Sequence, residues 1–218
     1  VNTYWTSVAE EGEGYLQLID GGYLYASYFY GAREDGSDAI IIVRGAGSHL
    51  DAFFAGIGQK GEGYMDISKG GLATIASAEL GYEAGQTGTI SVEDAGSLLV
   101  IDNLAAGVYG TGEIFVYKGA AVHLGGADLG GSTDGESQSV GRITVSDAGS
   151  SLVVSDFLTV GSYGIGELVV EDGGAATVQG YLYLGMGAAF DIYSSPSSGT
   201  VTVTGENSEL SSQTTYIG

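Results

Sequence analysis

The strongest constraint on how this 218-residue chain can fold is a pattern that recurs along its whole length. Four segments begin with a Gly-x-Gly motif and an alternating apolar stretch, and we name them A units. They alternate with four B units, each carrying a small-residue turn that ends in serine, at Ser48, Ser97, Ser150 and Ser208. A unit of roughly 20 to 35 residues cannot bury an apolar face alone, so successive units must stack on one another.

Within each unit, apolar residues alternate with polar or small ones, which is the period of a β-strand. Aligned A units place apolar residues at one equivalent position, namely Leu16, Met65, Ile114 and Leu168. Stacked parallel coils bring such equivalent residues together at a spacing of about 4.8 Å. We therefore predict an all-β protein, a right-handed parallel β-solenoid (β-helix) with about eight coils and three short strands per coil. An up-and-down barrel or a sandwich would not require like residues to recur at one position.

The repeat covers the chain without interruption, so we predict a single β-solenoid domain over residues 1–218, with a partial first coil at 1–11. The A units end in longer loops, at residues 32–38, 82–87, 131–140 and 186–198. Because A and B units alternate, these loops are expected on every second coil along one edge. Loops carry function more often than the elements they connect, so this edge is a candidate functional surface.

Composition and charge exclude several classes of function. The chain has 27 acidic and 6 basic residues, for a net charge of −21, so a nucleic-acid partner is not expected. Glycine at 40 positions without a collagen-like period, together with a single proline, disfavours long helices. No apolar run approaches the roughly 18 residues of a membrane-spanning helix, so no membrane insertion is expected. The absence of cysteine excludes disulfides and thiolate metal sites.

The repeat pattern is most regular in residues 88–107, 141–161 and 164–185, where Gly-x-apolar-x-apolar runs precede Gly-Gly or Ala-Gly-Ser turns. This pattern resembles the repeats of autotransporter passengers and of PEP-CTERM-associated surface proteins, and the resemblance spans nearly the whole chain. It implies a β-solenoid at the bacterial cell surface, with a stalk-like or adhesin-like role. It carries no catalytic residue over to this sequence.

Catalytic residues are not evident. His49 lies beside Ser48 and Asp51, which is compatible with a nucleophile and its base. Ser48, however, occupies a turn position that is also serine in the other B units, where no histidine follows. We interpret it as a turn residue and predict that the protein is not an enzyme. A polysaccharide-active β-helix enzyme is the least favoured alternative.

Calcium is the one cofactor for which the sequence offers ligands. Carboxylates next to glycine in tight loops supply hard oxygen atoms. Asp35 and Asp38 form one such group, and Asp134 and Glu136 form another. No other cofactor is expected.

The two ends of the repeat suggest self-association. Residues 4–9 align with 53–58, and residues 210–218 align with 50–58, so both terminal coils are expected to present unpaired strand edges. Aromatic residues also crowd the first coils, which indicates an interface, and a bulkier filling of the core is the alternative. The predicted interface contains Tyr4, Trp5, Val8, Tyr23, Tyr25, Leu210, Tyr216 and Ile217.

We therefore predict a structural, extracellular protein of the bacterial surface or matrix. Its copies would stack head to tail into a homopolymer, since such a contact does not close on itself. The alternative is a fragment of a longer, autotransporter-like adhesin passenger whose loops bind surface glycans or other surfaces.

Overall fold

The computed structural model describes residues 1–131, 139–186 and 197–218. These residues form seventeen strands, and no helix occurs among them. The strands are β1 (Asn2–Val8), β2 (Glu13–Ile19), β3 (Tyr23–Gly31), β4 (Asp38–Arg44), β5 (His49–Ile57), β6 (Glu62–Ser68), β7 (Leu72–Leu80), β8 (Thr87–Glu93), β9 (Leu98–Ala106), β10 (Thr111–Tyr117), β11 (Ala121–Leu129), β12 (Val140–Val145), β13 (Ser151–Val160), β14 (Ile165–Val170), β15 (Ala175–Leu184), β16 (Ser198–Val203) and β17 (Glu209–Ile217).

The strands form two parallel sheets. The odd-numbered strands form a nine-stranded sheet and the even-numbered strands an eight-stranded sheet, each in chain order. Because consecutive strands alternate between the sheets, the chain winds around a shared interior and rises by one strand at each coil. This is the predicted parallel β-solenoid, and the coil number roughly matches the predicted eight. The arrangement fits a right-handed β-helix, the hand expected of parallel crossover connections.

The number of strands per coil differs from the prediction of three, because each coil contains two. Each long strand of the nine-stranded sheet includes both the second and the third predicted segments. In β7, Ala73 and Ile75 are buried, and the next buried residues are Ala78 and Leu80. The step from Ile75 to Ala78 changes which residues face inward, and the pairing with β5 skips Ala76. The alternation of inward and outward side chains therefore shifts by one residue at this point, but the strand stays within one sheet.

The interior consists of columns of equivalent apolar side chains. One column of the short strands is formed by Ile41, Met65, Ile90, Ile114, Ile143 and Leu168, which pair in register and are fully buried. Burial of each such side chain contributes about 1.5–3 kcal/mol. The stacking of like residues that the sequence predicted is thus the main source of stability.

The recurrent turn serines hold neighbouring coils together. Each serine hydroxyl accepts a hydrogen bond from the backbone amide of a glycine in the turn one coil earlier, in the pairs Gly21–Ser48 at 3.2 Å, Gly70–Ser97 at 3.0 Å, Gly119–Ser150 at 2.9 Å and Gly173–Ser208 at 3.0 Å. Turn amides near a sheet corner lack ladder partners, so these bonds satisfy donors that would otherwise be unpaired. The interpretation of Ser48 as a turn residue is confirmed.

The longer loops lie on alternate coils, as predicted. They connect β3 to β4, β7 to β8, β11 to β12 and β15 to β16, so each runs from the nine-stranded sheet to the eight-stranded sheet. All four connections therefore leave one sheet and enter the other at the same edge. Residues 132–138 and 187–196 of the last two loops lie outside the described part of the chain.

Candidate functional surfaces

The C-terminal end of the solenoid exposes residues that belong to interior columns. Val203 of β16 pairs with the fully buried Val170 but is itself 45% exposed. Ile217 of β17, in the column of Ile57 and Leu80, is 78% exposed. Leu210, at another inward position of β17, is partly buried. Among the described residues no coil packs on these side chains, so this end presents apolar side chains together with the outer edges of β16 and β17.

The N-terminal end is formed by β1 and β2, which are the first strands of their sheets. Tyr4 is 72% exposed and Trp5 is also exposed, whereas Val8, predicted as an interface residue, is buried in the core. The side chain of Val8 therefore contributes to the interior of the first coil.

Tyr23 and Tyr25 lie on β3, one strand in from the end. The Tyr23 hydroxyl donates a hydrogen bond to Asp51 at 3.3 Å, and its ring packs edge-on against His49 with 5.4 Å between centroids. Tyr25 pairs in register with Asn2 and Asp51. These two residues thus lie on the flank beside the end rather than on the end face itself.

An aromatic cluster covers the outer surface of β1, β3 and β5. The Trp5 and Tyr30 ring centroids are 4.6 Å apart, and Phe54 lies 5.7 Å from Tyr30 and 6.3 Å from Tyr28. The Arg33 guanidinium lies 4.7 Å above the Trp5 ring, a cation–π arrangement. We name this group the N-terminal aromatic cluster.

A second cluster lies on the same outer surface at the other end. Tyr183 and Tyr216 are stacked with 5.3 Å between centroids and 12° between planes, and Tyr181 lies 6.0 Å from Tyr183. We name it the C-terminal aromatic cluster. The sequence analysis identified Tyr216 but missed Tyr181 and Tyr183, although both precede a Gly-bounded turn at positions where the first coils also carry aromatic residues.

A cleft opens beside the N-terminal cluster, between its rings and three connecting loops. It has a volume of about 250 Å³ and is lined by Trp5, Tyr30, Arg33, Glu34, Gln59, Lys60 and Tyr82. Arg33 forms ion pairs with Glu10 and Glu34, and Lys60 lies 3.8 Å from Glu34 and 3.9 Å from Glu83. The cations of the rim are thus each matched by carboxylates on neighbouring coils.

Arg44, Lys118 and Arg142 form similar pairs between coils. Arg142 lies between Glu113 at 2.9 Å and Glu167 at 2.7 Å, on the two strands adjacent to its own. Lys118 contacts Glu93 at 2.5 Å, and this hydrogen bond lowers the pKa of the Glu93 carboxyl. Such cross-strand pairs contribute about 0.2–1 kcal/mol each and favour one register.

Ser48 and His49 bond to other groups rather than to each other. The Ser48 hydroxyl accepts from the Gly21 amide, and the His49 ring lies 3.1 Å from the Thr74 hydroxyl. A nucleophile and its base would need a direct hydrogen bond. The described geometry therefore adds nothing to the catalytic interpretation of this pair.

The calcium candidates remain predictions. Asp35 lies in the loop before β4, and Asp38 is the first residue of that strand. Asp134 and Glu136 lie outside the described residues. In the described ranges, no group of three or more histidine, cysteine, aspartate or glutamate side chains is placed to hold a metal ion.

Comparisons with protein-family models, curated proteins and solved structures found no match for the chain. The resemblance to autotransporter passengers and PEP-CTERM-associated proteins therefore stays a prediction from the repeat pattern. The described residues include no helix that is long and apolar enough to cross a membrane.

Proposed function

We propose that this protein is a structural β-solenoid of the extracellular bacterial surface or matrix, and that its copies assemble head to tail into filaments. The observation that carries the proposal is the exposure of interior columns at the ends. Val203 and Ile217 continue columns whose central members are fully buried. A second copy offers a coil with the same columns, so stacking would bury these side chains in the way that every inner coil is buried.

The backbone at the ends favours the same contact. A strand at the edge of a sheet presents a row of unpaired N–H and C=O groups, which can pair with a strand of another chain. In the proposed junction, β17 of one copy pairs with β1 of the next, and the nine-stranded sheet continues in parallel. The two surfaces that meet are different, so the contact does not close and repeated addition produces a filament.

The aromatic clusters favour one rotational setting of the junction. Tyr181 lies on the outer column that contains Trp5 and Tyr28, and Tyr183 and Tyr216 lie on the column that contains Tyr30. Continuing these columns brings both clusters together. Each aromatic pair formed would add about 0.5–1.5 kcal/mol beyond its buried area.

The number of strands in each sheet predicts the axial repeat of the filament, which can be measured. Because one sheet has nine strands and the other eight, pairing β17 with β1 leaves a strand-wide gap between β16 and the next copy's β2. If β1 instead moved aside, β17 would pair with β3 and β16 with β2. At about 4.8 Å per strand, the axial repeat of the filament would be about 43 Å in the first arrangement and about 38 Å in the second. We expect about 43 Å by cryo-electron microscopy.

The net charge of −21 bears on when assembly occurs. Like charge on every copy opposes association and keeps the flanks of filaments apart. Since salt screens this repulsion, assembly is expected to increase between about 10 mM and 150 mM salt.

The test compares two lysine substitutions at valine and isoleucine side chains that are both 45% exposed. Val203→Lys puts a charge on the C-terminal end face, and Ile40→Lys puts one on the flank. Light scattering and negative-stain microscopy should show filaments for the wild type and for Ile40→Lys, and monomers for Val203→Lys.

Two results would reject the assembly proposal. One is a wild-type protein that stays monomeric at millimolar concentration while its circular dichroism spectrum shows a folded β-protein. The other is equal assembly by Val203→Lys and by a second end-face variant, Ile217→Lys. The extracellular location rests on the repeat resemblance and is tested separately, by immunogold labelling of source cells.

A further inference from the structure

Two buried polar atoms that lack partners draw attention to the aromatic cleft. Among the described residues, the buried side-chain nitrogen and oxygen atoms without a hydrogen-bond partner are Ser7 Oγ and Gln59 Nε2. Buried polar atoms are nearly always paired, so each exception needs an explanation. Both belong to one region, because Ser7 pairs in register with Tyr30 and Gln59 lines the cleft together with Tyr30.

The backbone below the cleft holds the Gln59 amide in place. Gly56 leaves room for it, since a Cβ at that position would lie 2.3 Å from Gln59 Nε2. The amide also lies near the carboxyl group of Glu79, which pairs with Gly56. Burial raises the pKa of Glu79, and the nearby amide opposes this effect without reaching a hydrogen-bonding geometry. The amide N–H groups therefore have no hydrogen-bond partner among the described residues.

The walls of the cleft define the chemistry of a ligand that could bind this amide. Trp5, Tyr30 and Tyr82 line the cleft, where Tyr30 and the Arg33 guanidinium already pack against the Trp5 ring. The faces of aromatic rings carry partial negative charge that attracts polarised C–H groups. The cations of the rim are already paired with carboxylates, and the chain as a whole is strongly acidic. An anionic ligand is disfavoured for this reason. A neutral ring with C–H groups on one face and hydroxyl groups at its edge matches both features.

We propose that this cleft binds a single pyranose ring of a neutral polysaccharide, with its C–H face against the aromatic side chains and a hydroxyl group accepting from the Gln59 amide. The volume of about 250 Å³ is below the ~300–1,000 Å³ of sites for drug-sized ligands, which suits one ring. Gln59 and Tyr82 lie in flank loops away from the end faces, whereas Trp5 lies on β1 at the proposed junction. The titration is therefore run at about 10 mM salt, where the like charge of the copies opposes assembly.

The experiment uses the one tryptophan of the chain as the reporter, since Trp5 lines the cleft. The full chain is titrated with cellohexaose, laminarihexaose and chitohexaose while Trp5 fluorescence is recorded. We expect a saturable change for at least one of them, with a Kd of about 0.1–1 mM. Tyr82→Ala and Gln59→Ala should each weaken binding by about fivefold or more.

Tyr163→Ala is the matched control. Tyr163 lies in a loop from the nine-stranded to the eight-stranded sheet, as Gln59 and Tyr82 do, but several coils away from the cleft. It should leave the titration unchanged, and thermal melts should show all three variants folded. The proposal is overturned if no hexasaccharide gives a saturable change up to about 10 mM. It is also overturned if Tyr163→Ala loses as much affinity as Tyr82→Ala, or if only a proline-rich peptide titrated in parallel binds. Light scattering during the titration separates these outcomes from any change in assembly.

Discussion

The first coils and the central coils of this solenoid have the same backbone arrangement and the same kind of interior, but different outer surfaces. On one outer column, Trp5, Tyr28 and Phe54 of the first coils are followed in register by Ser77 and Asn103 of the central coils. The inward residues next to that column are apolar and buried in both regions, from Phe29 and Ala55 in the first coils to Ala78 and Leu104 in the central coils.

The inward columns therefore determine the fold, whereas the outward columns are free to vary. A tyrosine at position 28 and a serine at position 77 are accommodated by the same strand pairing. Folding therefore does not explain the outward aromatic residues of the first coils. These side chains lie at the proposed junction and in the cleft. Substitutions at inward positions should therefore cost more stability than substitutions at outward positions.

The largest effect is expected at the inward glycine column of the short strands. A Cβ at Gly112 would lie 2.3 Å from the Gly107 backbone nitrogen, which cannot move without breaking the turn. Gly112→Val should therefore abolish cooperative unfolding or cost more than about 4 kcal/mol, measured by urea denaturation followed by circular dichroism.

The first coils supply the control for this substitution. Ala39 occupies the same column, in register with Gly14 and Gly63, and is buried. Ala39→Gly should cost no more than about 1 kcal/mol. A Gly112→Val protein that unfolds with wild-type stability would show that the inward column does not determine the fold.

The next effect concerns a central apolar residue. Ile114 is fully buried, so Ile114→Ala removes packed methyl groups, leaves a cavity and should cost about 2–5 kcal/mol in the same denaturation experiment. Phe53, on the outer face of the first coils, is 61% exposed, and Phe53→Ala should change stability by less than about 0.5 kcal/mol. Equal costs for the two variants would contradict the distinction between inward and outward columns.

Sequence reasoning reached the fold because the interior repeats itself. The recurrence of Ile90 and Ile114 at equivalent positions specifies parallel stacking, and the turn serines mark one corner of every second coil. The number of strands per coil was not predictable in this way. The phase change between Ile75 and Ala78 occurs inside one continuous strand, and in the sequence it is indistinguishable from a turn between two strands.

The candidate surfaces were predicted only in part. Trp5 and Tyr216 were identified as end residues because the repeat alignment places them in the terminal coils. The cleft was not predicted, since Gln59, Lys60 and Tyr82 come from two successive loops that share no sequence pattern. Their proximity depends on the rise of one strand per coil, and loop geometry cannot be derived from the periodicity of the strands.

A smaller effect is expected when the outer surfaces are exchanged. Tyr28 contacts Tyr4, Trp5 and Phe54, with centroid distances of 5.5, 6.0 and 6.3 Å. Tyr28→Ser gives the first coils the serine of the central coils, and the lost aromatic pairs should cost about 1–2 kcal/mol. Ser77→Tyr, the reverse exchange, should stay within about 0.5 kcal/mol of the wild type by thermal denaturation. A large loss from Ser77→Tyr would mean that the outer columns are not free to vary.

The smallest effect distinguishes two glutamates with opposite pKa shifts. Glu79 lies where the aromatic coils meet the central coils, and burial raises its pKa above the ordinary value of 4.5. Its ionised form is therefore unfavourable in the folded state. The resulting loss in the free energy of unfolding is absent below the ordinary pKa. It grows as the pH rises from the ordinary to the raised pKa, and it is constant at higher pH. Glu79→Gln should stabilise the protein at pH 7 by less than about 1 kcal/mol, since solvent partly screens this side chain.

Glu93, on a central short strand, should respond in the opposite direction. Its hydrogen bond with the Lys118 ammonium lowers the pKa of Glu93, so this residue contributes stability above the ordinary pKa and loses it as the pH falls through the lowered value. Glu93→Gln should therefore lower the melting temperature at pH 7, where Glu79→Gln raises it. At a pH below both folded pKa values, the differences that arise from ionisation should disappear. Melting curves for the two variants that move in the same direction at pH 7 would contradict the assigned environments, because only opposite surroundings give opposite signs.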